Sequence, residues 1–140
     1  MKNIFIILFI CIISLPAVSQ TDKAPKPVAP YSQSRMTDTG LLFISGQIPI
    51  NPETGQLLKG DIRNETRQVM ENIGAILKAN NMTYDNLVKC TVFLIDIRDY
   101  EVMNEVYGSY FKEKFPAREA IEIGNLPLGA SIEISAIASK

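Results

Sequence analysis

The chain has 140 residues, 46% of them hydrophobic and 21% charged, with 14 Lys+Arg against 15 Asp+Glu and neither histidine nor tryptophan. That composition describes one globular domain, too apolar for disorder and without the basic field that nucleic-acid backbones require. The missing histidine excludes Ser-His-Asp and Cys-His devices, histidine metal sites and histidine bases, so any catalysis runs on carboxylates, Arg, Lys, Tyr, Cys or backbone groups.

Residues 1–19 read MKNIFIILFICIISLPAVS. Lys2 is the only charge, the apolar run from Ile4 to Leu15 is about a dozen residues, Pro16 breaks it, and Ala17-Val18-Ser19 is small-x-small. These are the three parts of a secretory signal peptide, with cleavage expected after Ser19. The run is short of the ~20 residues a spanning helix needs, so no stable membrane anchor is expected. Lipid attachment at Cys11 is disfavoured because Ile10, just before it, is large. Export is therefore expected, to the periplasm or outside the cell. The mature chain from residue 20 carries 13 Lys+Arg against 15 Asp+Glu, net −2, and keeps one thiol, Cys90.

Residues 20–30 hold three prolines and two lysines and read as an extended leader with no packing pattern of its own; the domain proper is expected over 31–140. Residues 34–38 and 41–45 flank Thr39-Gly40 as a hairpin, and Asn51-Pro52-Glu53-Thr54-Gly55 is turn chemistry. Ile62, Val69, Met70, Ile73, Ile76 and Leu77 recur at helical spacing, with Asp61 as cap and Asn80-Asn81 as terminator. Residues 87–95, LVKCTVFLI, form a strand apolar on both sides, which places it centrally. Tyr100, Met103, Val106, Tyr107 and Tyr110 share one side of a second helix. Residues 118–123 and 132–138 alternate as two last strands. If their isoleucines look toward the helices, Arg118, Glu122 and Glu133 share the opposite face. The expected fold class is α+β, β-β-α-β-α-β-β, a mixed sheet with two helices on one side. Apolar Val92, Phe93 and Leu94 on an uncovered face predict an oligomer that closes such faces together.

Each candidate has a plain alternative. Arg118 is either a solvated arginine or a five-donor fork for a carboxylate. Glu133 either pairs with Arg118 or Lys89 or holds a water. Tyr31 packs down the leader or covers a ligand with its phenol. Ser45 and Gly46 terminate a strand or serve a small polar ligand at close approach. Asn104 is solvated or faces a site, and Cys90 reads as a small core residue. No phosphate loop, metal constellation or cofactor motif is present.

Ala29-Pro30-Tyr31-Ser32-Gln33, Ser45-Gly46-Gln47-Ile48-Pro49, Asn51-Pro52-x-Thr54-Gly55, Cys90-Thr91-Val92-Phe93-Leu94, Pro116-Ala117-Arg118 and Ile132-Glu133-Ile134 together resemble the RidA family, also called YjgF. The resemblance spans nearly all of the mature chain. It implies a chorismate-mutase-like homotrimer with sites between subunits. The implied activity is cofactor-free hydrolysis of enamines and imines, typically 2-aminoacrylate or 2-iminopropionate and related 2-imino acids, to 2-keto acids and ammonia. It further implies that Arg118 grips the substrate carboxylate, that Glu133 positions the water, and that Tyr31, Ser45, Gly46 and Asn104 line the pocket. Ala120 stands where many relatives have cysteine and would serve through its backbone. The competing readings are a small-carboxylate-binding or chaperone-like trimer without turnover and, against the acidic charge, an endoribonuclease or translation inhibitor.

Overall fold

The structure is a computed structural model that describes residues 20–140; the expected signal peptide, residues 1–19 with Cys11, lies outside the described residues. Two short antiparallel strands open the fold, β1 (Ser34–Met36) and β2 (Leu41–Gln47), joined by a turn in which Gly40 takes φ 85°. Helix α1 (Ile62–Ala79) follows, then strand β3 (Leu87–Leu94), helix α2 (Tyr100–Gly108) and strands β4 (Ala117–Glu122) and β5 (Ile132–Ser139). The sheet order is β1-β2-β5-β3-β4, with β3 and β4 parallel and every other pair antiparallel. The parallel pair is the one that α2 connects, as a crossover requires.

Helix α1 forms where the periodicity predicts. The Asp61 side chain accepts from the Arg63 backbone N–H, satisfying one of the donors that a helix start leaves open, and Asn81 beyond its end takes φ 57°. Val69, Met70, Ile73, Ile76 and Leu77 are fully buried and lie at the spacing of one helical stripe. That stripe joins one core with Leu42, Ile44, Cys90, Val92, Leu94, Ile132, Ile134, Ala136 and Ala138 from the sheet. Burial of each large aliphatic there contributes about 1.5–3 kcal/mol.

Strand β4 differs from the sequence expectation. Directly paired residues share a sheet face, and β4 pairs Arg118 with Cys90, Ala120 with Val92 and Glu122 with Leu94. Cys90, Val92 and Leu94 are all core, so Arg118, Ala120 and Glu122 face the helices, while Ile121 is 42% exposed on the open face. Glu133 pairs with Phe93 on that open face. Arg118 and Glu133 therefore occupy opposite faces of the sheet. Val92 and Leu94 are likewise core, and the open face is apolar through Phe43, Phe93, Ile121 and Ile137 instead.

Candidate functional site

All of the expected site residues except Ala120 fall into two cavities. One, of about 560 Å³, is lined by Tyr31, Ser45, Gly46 and Glu133 together with leader residues Pro25, Val28 and Ala29 and with Ile48, Ile50 and Leu128. Here β2 passes β5 with a register shift between Ile44 and Gln47, and the irregularity brings Gly46 onto Glu133. A Cβ at Gly46 would fall 1.8 Å from Glu133 Oε1. Glu133 is half-buried, no donor among the described residues bonds its carboxylate, and burial pushes its pKa up from the ordinary value of 4.5. It pairs with neither Arg118 nor Lys89; Lys89 bridges to Glu119 at 3.2 Å. The Ser45 hydroxyl donates to the Ser32 carbonyl at 2.7 Å, which leaves its lone pairs to accept from a ligand.

Buried polar side chains hold the walls of this cavity. Gln33, 1% exposed, accepts from the Thr21 N–H and donates to the carbonyls of Thr21, Ala24 and Pro25 at 2.8–3.1 Å. Ala24 is itself core, so the leader is part of the fold despite its lack of pattern. Asn72 donates to the carbonyls of Ile48 and Ile50 and is oriented by Gln68. Glu65 accepts from Gly60 and from both the backbone and hydroxyl of Ser131, tying the approach to α1 to the segment that carries Leu128.

The second cavity, of about 330 Å³, is lined by Asn104, Tyr107, Gly108, Phe115, Pro116 and Arg118. The Arg118 guanidinium lies over the Tyr107 ring, 4.6 Å from its centroid, with Nη2 donating to the Tyr100 hydroxyl at 3.3 Å and Nη1 against Met103 Sδ at 3.8 Å. Ala120 follows Arg118 on the same face, packs against the core and lines neither cavity. Cys90 is fully buried beside Tyr107, and burial raises its thiol pKa, consistent with an inert core residue. The roles of Tyr100, Tyr107 and Gln33 are absent from the sequence reading. Tyr100, Asn104 and Tyr107 do stand at i, i+4 and i+7, one helical stripe, but the pattern assigns tyrosines there to the core. Among the described residues no cluster of three or more potential metal ligands occurs, and no helix is long and apolar enough to cross a membrane.

The family described as Endoribonuclease L-PSP matches residues 21–140. The chain belongs to this family, the RidA family. A RutC family protein of Pyrococcus horikoshii is 52% identical to this RidA-family chain over 120 residues, 86% of this chain and 94% of that protein. The human 2-iminobutanoate/2-iminopropanoate deaminase is 46% identical over 121 residues, 86% of this chain and 88% of that protein. Among solved structures, a putative endoribonuclease of Thermotoga maritima superposes with a TM-score of 0.86 at 44% identity, covering 90% of this chain and 98% of that one. The mixed sheet with two helices is thus the fold of RidA-family neighbours.

Proposed function

We propose that the protein hydrolyses 2-imino acids and their enamine tautomers to 2-keto acids and ammonia, as a homotrimer whose sites form between subunits. The observation that carries this reading is the division of groups between two cavities. An anion-gripping guanidinium lies in one, and a desolvated carboxylate without a partner lies in the other. One copy cannot apply both to a small substrate. Arg118 and Glu133 are two strands apart, about 10 Å across the sheet, are offset about 10 Å more along it, and lie on opposite faces. In the proposed trimer a neighbouring copy supplies its own Arg118 beside the first copy's Glu133, and the apolar open face that carries Phe43 and Ile121 is covered between copies.

In the completed site Arg118 binds the substrate carboxylate as a charge-assisted fork and Glu133 accepts a hydrogen bond from water aimed at the C=N carbon. Ser45 accepts from the imine N–H. Water adds to that carbon, and the resulting carbinolamine collapses with the amine nitrogen leaving as ammonia and the C–O becoming the ketone. Positioning and charge stabilisation suffice, because imines of this kind hydrolyse unaided. The name of the human relative, at 46% identity, supports the substrate class. The test is keto-acid release from imines generated by an amino-acid oxidase. Arg118→Ala is expected to lower the rate roughly 30- to 1,000-fold. Equal rates for unmodified protein, Arg118→Ala and buffer overturn the reading; Arg118-dependent binding without turnover replaces it with a carboxylate-binding trimer. Export is part of the proposal, resting on the character of residues 1–19, and an exported product beginning at Gln20 by mass spectrometry is its expected signature.

A further inference from the structure

Next to the Arg118 cavity, outside its lining residues, stands a second donor that the roles above leave unused. Tyr100 opens α2, is 40% exposed, and holds its ring 5.7 Å from the Arg118 guanidinium carbon. Its oxygen accepts from Arg118 Nη2 at 3.3 Å, and its neighbours Asn104 and Arg118 draw its pKa below the ordinary value for a phenol. A phenol oxygen that accepts from Arg118 keeps its own proton to donate, and no hydrogen bond at normal length takes that O–H among the described residues. That proton lies beside the Arg118 donors, since the phenol oxygen is 3.3 Å from Nη2.

We infer that Tyr100 is a substrate-binding residue, its hydroxyl donating to the carboxylate that Arg118 grips. The inference rests on the proposed role of Arg118 and adds a residue to it. Two donors converging on one anion, from a stacked arginine and the phenol beside it, select a carboxylate over a neutral amide more sharply than arginine alone. An amide of the same shape presents an NH₂ that cannot accept from Tyr100. Binding of 2-oxobutanoate and of 2-oxobutanamide, measured calorimetrically on the purified protein, tests this. Tyr100→Phe keeps the ring and is expected to weaken 2-oxobutanoate about ten-fold, to leave the amide within two-fold, and to raise KM for the imine more than it lowers kcat. Binding of 2-oxobutanoate within two-fold of the unmodified protein overturns the inference, as does an equal loss for acid and amide. Arg118→Ala separates the two ideas. If it also binds 2-oxobutanoate normally, the Arg118 reading itself fails; if it loses the acid while Tyr100→Phe does not, only the Tyr100 inference fails.

Discussion

Gly46 has an ordinary backbone conformation and is needed for space rather than for flexibility, since any side chain there collides with the Glu133 carboxylate. Gly46→Ala displaces the free end of a mobile side chain, so its expected effect is a small loss of thermal stability and a large loss of turnover. A 1 Å misplacement of a positioned group costs up to about a hundred-fold. Comparing Tm with kcat for this variant checks the separation. Glu133 gives a second prediction with a definite sign. Burial holds its folded pKa above 4.5, the folded state binds the proton more tightly than the unfolded chain, and stability is lost as pH rises through that interval. Glu133→Gln is therefore expected to raise Tm near neutral pH and to lose that advantage below about pH 4, while abolishing water positioning. In the unmodified protein the acid limb of kcat/KM is expected above 4.5, where the raised carboxyl titrates.

The elements themselves were legible because most obey one simple rule each. Asp61 caps α1, the stripe from Val69 to Leu77 fixes its buried side, and Ile132, Ile134, Ala136 and Ala138 alternate inward along β5. Strand β4 breaks the rule that the larger aliphatics point to the core. It takes its phase from β3, so small Ala120 meets the core and Ile121 turns outward. An isoleucine facing outward carries no mark in the sequence to distinguish it from a core residue, and for this reason Arg118 was expected on the wrong side. The leader was illegible for a different reason: its anchorage comes from one distant glutamine and not from a periodic face. Gln33→Leu removes those bonds, at an expected cost of about 1–3 kcal/mol, and frees the cavity wall formed by Pro25 and Val28. Tryptic cleavage after Lys23, blocked while Ala24 is buried, is expected to accelerate, with KM rising.

At the scale of the whole molecule, the proposed division of each site between subunits has an outcome that no single-subunit site can imitate. Arg118→Ala and Glu133→Gln are each expected to lose most of their activity in the proposed homotrimer. Unfolded together, mixed equally and refolded, they form trimers in which about a quarter of the sites pair an intact Arg118 with an intact neighbouring Glu133. Recovery of about a quarter of the activity is expected, and a mixture as inactive as its parents sinks the shared-site assembly. A monomer by light scattering at micromolar concentration does the same.

The order β1-β2-β5-β3-β4 also governs when the protein is able to fold. The last strand in sequence is the middle strand in space: β5 supplies the ladder to β2 on one side and to β3 on the other, so Leu41 waits for Ser139. Without β5, the chain has a β1-β2 hairpin and a β3-β4 pair with nothing to join them, and α1 has only part of its floor. The long-range ladder therefore closes last, and the fold becomes cooperative only once β5 is in place. A chain ending at Gly129 is expected to show no cooperative thermal transition.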